Sequence, residues 1–300
     1  MIPYNFELNI DFKKDWKDFL IKILEERGYK IDNSLNSSQI SNLFFNLNRR
    51  FVSARKRRIF VSKEFKCPPE YEAALEAIIM KIKSGNDITS HLSTRIKKIN
   101  YKDLLLNDWG IHHLHLDTTL IPEGKNKEFV KRTRDVLFVK FELDKAFLIQ
   151  ILDHNSFPDI DLLRIMHNNW PDIMSKYKTP FQSLIPGPSN TKEEIQALRD
   201  AGVTTMYEIE PGVVYFPPGM GLTTAKTSVA ATRESQRFLN NISLFEKHVR
   251  EKINIFLKVI RESTGESEIK KLHFFLIVED FSKFSTIEIY SGTEFYLATI

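Results

Sequence analysis

The chain has 300 residues, 42% hydrophobic and 27% charged, with a formal net charge of +4 and a single cysteine, Cys67. That composition is ordinary for a soluble globular protein, long enough to bury a core without staples, and one cysteine excludes an internal disulfide. No apolar run approaches the roughly 20 residues of a membrane span, and MIPYNFELNIDFKKDW has no basic region leading into an apolar one, so neither a signal peptide nor a membrane partner is predicted and a cytoplasmic location is expected.

In chain order, residues 11–27 place Phe12, Trp16, Phe19, Leu20, Ile23 and Leu24 at helical spacing, with Gly28 as a stop. A second helix is predicted from Ser37 or Ser38, carrying Ile40, Leu43, Phe44, Leu47 and Phe51 on one face. Directly after it come Arg49, Arg50, Arg55, Lys56, Arg57 and Arg58, then a short strand, IFVS. Between Arg49 and Lys102 fourteen Lys/Arg face five Asp/Glu, so the excess positive charge is concentrated here and suggests a polyanionic partner. Pro68 and Pro69 open a helix with Tyr71, Ala74, Leu75, Ile78, Ile79 and Ile82 on its apolar face, acids early and lysines late as the helix dipole favours.

The pattern changes at Asn107. IHHLHL, RDVLFVKFEL and KAFLIQIL are apolar runs of strand length, the last two read as a hairpin, and Pro158 is placed as a first helical residue ahead of Leu163, Met166, Trp170 and Ile173. A proline-rich linker follows at 180–189. Asn190 with Glu193 resembles a capping box, Gly202 ends that helix, and Pro211-Gly212 turns a hairpin between MYEIE and VVYF. The loop PPGMGLTTAKTS precedes a long helix from Val229 to Glu262, and HFFLIVE, STIEIYS and EFYLATI close the chain as strands. The expected fold is α+β: a helical, basic region over 1–104, a central unit over 105–179 with a small antiparallel sheet and a packed helix, and a C-terminal α+β domain over 190–300 with a long helix and antiparallel strands.

The stretch NDWGIHHLHLD holds three of the eight histidines. Strand alternation puts His113, His115 and Asp117 on one face, and His112 with Leu114 and Leu116 on the core face. His154 closes the third strand, and Arg132 and Arg134 begin the second on a shared face. Three readings stand open for these residues. The histidines are structural and hydrogen-bonded. Or His113, His115 and His154 supply acid–base chemistry while an arginine binds phosphate, as in metal-independent RNA cleavage. Or an H-x-H pair with His154 or Asp153 binds a transition metal. The acid–base reading is carried forward, with no metal ligand and no cofactor assigned.

The segment RDVLFVKFELDKAFLIQILDHNSF, Arg134 to Phe157, resembles the core hairpin of RelE/HigB-type toxins in the barnase–EndoU–colicin–RelE group of ribonucleases. There an arginine opens one strand, a short turn leads to an apolar strand, and an H-x-F-like segment follows. The resemblance implies a phosphate contact at Arg134, an acid or base at His154 and an inhibitory protein partner. The lysine pair usual after the H-x-F segment is replaced here by Pro158 and Asp159.

The remaining candidates are electrostatic or conformational. Arg55, Lys56, Arg57 and Arg58 could grip the backbone of a nucleic acid, most naturally RNA, with Arg132, and Phe51 and Phe60 could stack on bases; a solvated helix end is the alternative. A P-loop would require glycine where Met220 and Ala225 stand relative to Lys226, which argues against a nucleotide site of that type. An anion-binding loop using Thr223, Thr224 and Thr227, or a plain hairpin exit, stays open. Homodimerisation through the C-terminal helix or sheet edge is a further expectation. The function expected is that of a nucleic-acid-acting protein, most concretely a ribonuclease of toxin or phage-defence type; the alternative is a non-enzymatic binding module, and a His-ligated metal hydrolase stands third.

Overall fold

The computed structural model describes residues 6–180 and 191–299 and has the α+β architecture the sequence predicts. It divides into two compact units, one of residues 1–45 and 233–300, the other of residues 46–232. These units cut the chain elsewhere than the three regions read from the sequence. The cause is long-range pairing: β1 (Glu7–Ile10) lies parallel to β8 (Lys271–Glu279), joining the two ends of the chain in one sheet. The predicted linker falls almost wholly outside the described residues.

In the first unit the sheet order is β1-β8-β9-β10, with β9 (Lys283–Glu288) and β10 (Glu294–Thr299) antiparallel to their neighbours. Helix α1 (Phe12–Glu26) begins at Asp11, whose side chain accepts from the Lys14 amide, and buries Phe12, Trp16, Leu20 and Leu24. The stripe expected for one helix over Val229–Glu262 is carried by two, α8 (Val229–Glu251) and α9 (Ile253–Thr264), with Lys252 leaving helical geometry at φ −101° and ψ 13°. Both halves still face the core: Phe238, Ile242, Val249, Ile253, Phe256 and Ile260 are all buried. Trp16 stacks on Phe238 at 5.2 Å within an aromatic cluster that includes Phe281 and Phe284. Helix α2 (Ser37–Asn48) contributes Ile40 and Phe44 to this core.

The second unit carries the histidines. Its sheet runs β2-β5-β4-β3, formed by β2 (Arg58–Val61), β5 (Lys145–Asp153), β4 (Asp135–Phe141) and β3 (His112–His115). The hairpin β4–β5 and the pair β3–β4 are antiparallel as expected, but β2 joins β5 in parallel, so the sheet is mixed. Both of its faces are covered, which is why β4 and β5 read as nearly continuous apolar runs. On one side α3 (Glu72–Ser84) lays Ala74, Ile78 and Ile82 over Leu114, Leu116, Leu137 and Val139. On the other, Trp109 of α4 (Leu104–Trp109) and Leu162, Leu163 and Met166 of α5 (Asp161–Asn169) pack on Val136, Phe138 and Ile149.

Pro158 does not open α5; it sits in the turn after β5, and the helix starts three positions later, at Asp161. Helix α6 (Pro171–Ser175) follows. Asn190 lies outside the described residues, and the cap of α7 (Lys192–Ala201) is Thr191, which accepts from the Glu194 amide. A hairpin of β6 (Tyr207–Glu210) and β7 (Val213–Tyr215) completes the unit. Asp108, Arg199 and Tyr207 form a buried knot: Arg199 Nε donates to Asp108 Oδ2 at 2.8 Å, and the Tyr207 hydroxyl to the same oxygen at 2.5 Å. Such a pair is costly to break, because either partner alone would be a buried uncompensated charge.

A candidate histidine site

The path into the site starts at Gly110. It caps α4 in the left-handed conformation, φ 69°, where a side chain would be strained, and turns the chain from helix to strand. Alternation along β3 then works as the sequence predicts. Leu114 and Leu116 face the α3 side, and His112 stands edge-on to Phe141 there. His113 and His115 face the other way, and the His113 ring lies 4.7 Å from that of Phe157.

His154 arrives from the end of β5. Asp153 accepts from the Asn155 amide and starts a short 3-10 turn over His154–Ser156, which swings the imidazole toward β3. The three rings meet: His115 and His154 are 5.6 Å apart between centroids, His113 and His115 6.4 Å, His113 and His154 6.5 Å. The sequence-predicted trio is therefore assembled at one place.

The hydrogen bonds assign the protons. His154 Nδ1 is 2.8 Å from the carbonyl oxygen of Arg134, which only accepts, so Nδ1 carries hydrogen and Nε2 bears the lone pair of the neutral ring. His115 has the opposite tautomer: its Nδ1 accepts from the Thr133 amide at 3.3 Å, leaving hydrogen on Nε2. His113 Nδ1 lies 4.0 Å from Asp103 Oδ2, beyond hydrogen-bond reach, and is buried without a partner. Asp103 caps α4 with its other oxygen, accepting from the Leu106 amide.

Burial pushes the His115 imidazolium down to about 3, helped by the neighbouring charges of His113, His154 and Arg132. His113 is lowered too, by burial first; Asp103 opposes the shift, while His154, Arg95 and Arg132 add to it. Both rings are thus neutral at pH 7. They can donate or accept hydrogen bonds there but cannot act as acids.

A fourth histidine that the sequence reading left out supports the site. His91 is buried, and its Nδ1–H donates to the His115 carbonyl at 3.0 Å while Nε2 faces Lys81 Nζ at 3.3 Å. Nothing in the sequence around TSHLS marks it; only the folded chain brings it there.

The cations divide. Arg132 is exposed, and its charge is felt by both His113 and His115. Arg134 precedes β4 with its side chain 86% exposed, 3.9 Å from Asp135. Arg55 and Lys56 are exposed, and Arg58 pairs with Asp144 at 2.9 Å. Arg57 is different: it is buried, donates to the carbonyls of Ser53 and Glu142, and lies over the Phe141 ring. Its guanidinium is committed to the backbone and does not belong to a surface grip. Phe60 likewise stacks on Phe147, and Phe51 packs against the α3-side core.

Thr223 and Thr227 bond each other at 2.7 Å across the Leu222–Ser228 bridge, the geometry of a hairpin exit. Among the described residues no group of three or more His, Cys, Asp or Glu is arranged to hold a metal ion. No helix among the described residues is long and apolar enough to cross a membrane. No family model, no curated protein and no solved structure matches this chain.

Proposed function

We propose that the protein acts on nucleic acid as a metal-independent endoribonuclease of toxin or phage-defence type, with His154 as the group that moves the proton. One observation carries this reading: His113 and His115 of β3 and His154 of the turn after β5 meet with rings 5.6–6.5 Å apart beside the exposed Arg132 and Arg134. His154 Nε2 takes the proton of an RNA 2′-hydroxyl, and the 2′-oxygen attacks the adjacent phosphorus. The P–O5′ bond breaks, the imidazolium returns its proton to the 5′-oxygen, and a 2′,3′-cyclic phosphate and a 5′-hydroxyl result. His115 Nε2–H offers a neutral hydrogen bond to a phosphoryl oxygen, while Arg132 and Arg134 offset the charge of the phosphorane. This narrows the acid–base role to one histidine, because His113 and His115 are held neutral.

The second reading is a non-enzymatic nucleic-acid- or protein-binding module. It is favoured by the burial of His113 and His115 and by the internal bonds of His115, which suit structural groups. Cleavage of single-stranded RNA in excess chelator separates the two. His154→Ala should lower the rate by about 10²-fold or more with the fold intact, the usual loss for a general acid–base group. Cleavage that survives the substitution unchanged rules out His154, and salt-sensitive binding with no turnover establishes the second reading.

A further inference from the structure

At the opposite end of β3 and β4 lies an open cleft of about 340 Å³, lined among others by Arg49, His112, Lys140, Glu142, Lys176 and Tyr177. We propose that this cleft binds a phosphate group carried by a small molecule, and that Lys140 is the residue that holds it. The proposal does not rest on the ribonuclease reading and uses none of its residues.

Lys140 is the central observation. It stands on β4 in line with Val136 and Phe138, in a strand whose two faces are both covered, and it is only 4% exposed. Its ammonium forms no hydrogen bond and no ion pair; the contact it has is with the face of Tyr177, 5.4 Å from the ring centroid. A buried ammonium with neither a hydrogen bond nor an ion pair is rare, because a ring face offsets only part of its desolvation. Burial lowers Lys140 to about 8, with Lys176 and Arg49 adding repulsion and Glu142 opposing, so at pH 7 the ammonium persists.

Its neighbours repeat the pattern. Arg49 is directed into the protein by Nη2, which donates to the carbonyls of Leu106 and Gly219, yet its Nε–H is buried with no partner. Both ring nitrogens of His112 are buried too, and the polar group they face is the Arg49 backbone. At the rim Lys176 is half exposed, pairs with Glu142 at 2.7 Å and lies 5.2 Å from the same Tyr177 ring. Among the residues that line the cleft three cations thus face one carboxylate, Glu142, while the Asp103 carboxylate acts on Arg49 from outside the lining. A phosphate offers several acceptor oxygens to the two ammonium groups and the Arg49 Nε–H at once, which a single carboxylate cannot do as fully. The volume falls within the ~300–1,000 Å³ typical of small-molecule sites, large enough for a group beyond the phosphate itself.

Titration calorimetry at pH 7 with inorganic phosphate, adenosine monophosphate and adenosine tests this. The wild type should bind the first two and not adenosine. Lys140→Met, which keeps the length of the buried chain, should weaken binding at least tenfold. Lys176→Glu, at the exposed rim, should weaken it severalfold and serves if the Lys140 variant does not fold. Lys131→Met, on an exposed residue outside the cleft, should change nothing. If the nucleotide binds more tightly than phosphate, the ligand is a phosphomonoester; equal affinity identifies the free ion. Absence of binding by the wild type at millimolar phosphate and nucleotide, adenosine binding as well as its monophosphate, or affinity unaltered in both lysine variants would each overturn the proposal.

Discussion

The two ends of the β3–β4 pair handle buried polar groups in opposite ways. At the Val136 end, the protein gathers imidazoles, holds His113 and His115 neutral and supplies His115 and His154 with backbone partners. At the Phe141 end it gathers cations and leaves the Lys140 ammonium without an ion pair and the Nε of Arg49 without a hydrogen-bond partner. The first arrangement sets neutral rings beside the open Nε2 of His154, which suits proton movement. The second stores positive potential, which suits holding an anion. Strand alternation allows both on one pair of strands because consecutive residues, His112 and His113, point to different environments.

The largest effect that could break this contrast is on acid stability. His115 has a folded value of about 3 against an ordinary 6.5, so the unfolded chain binds more protons between those values. Stability should therefore be fully present above pH 6.5 and fall as pH drops toward 3, by an amount on the order of 3–5 kcal/mol. Denaturant melts across that range should show the slope, and His115→Gln should reduce it by that share, the rest belonging to His112, His113 and His91. A slope unchanged by His115→Gln means the ring is not held neutral.

The Phe141 end predicts a shift in the other part of the scale. Lys140 titrates at about 8 when folded against an ordinary 10.5, so the unfolded chain binds more protons between the two. Stability should rise as pH rises from 8 to 10.5, by about 3 kcal/mol. Lys140→Met should remove that rise and make the ligand-free protein more stable at pH 7. A less stable Lys140→Met protein would show that the ammonium already has a partner.

Smaller effects should separate Arg57 from its neighbours. Removing its buried donors with Arg57→Ala should cost about 1–3 kcal/mol, while Arg55→Ala, at an exposed position, should stay within about 0.5 kcal/mol. Equal losses at the two positions would return Arg57 to the surface cluster that the sequence suggests.

Much of this was legible before folding. The period-2 pattern of IHHLHL divided His112 from His113 and His115, and the apolar run after Arg134 announced the hairpin that brings His154 back to β3. What was illegible depended on distance along the chain. β1 is four residues with no apolar run to mark it, and its parallel pairing with β8 redraws the units. The basic run from Arg55 to Arg58 looks uniform, yet Arg57 alone turns inward, because Phe141 and three carbonyls await it. Lys140 carried a signal that could have been read: a lysine between Val139 and Phe141 in a strand apolar on both faces has no solvent side to choose.

What the assembled histidines do to RNA is the most direct test of their role. The deciding measurement is cleavage, in excess chelator, of an oligoribonucleotide and of the same strand with a 2′-deoxy residue at each scissile position. The wild type should cleave the first to products ending in 2′,3′-cyclic phosphate, leave the second intact, and lose the activity on His154→Ala. Intact RNA under all conditions, or equal cleavage of the 2′-deoxy strand, would contradict it.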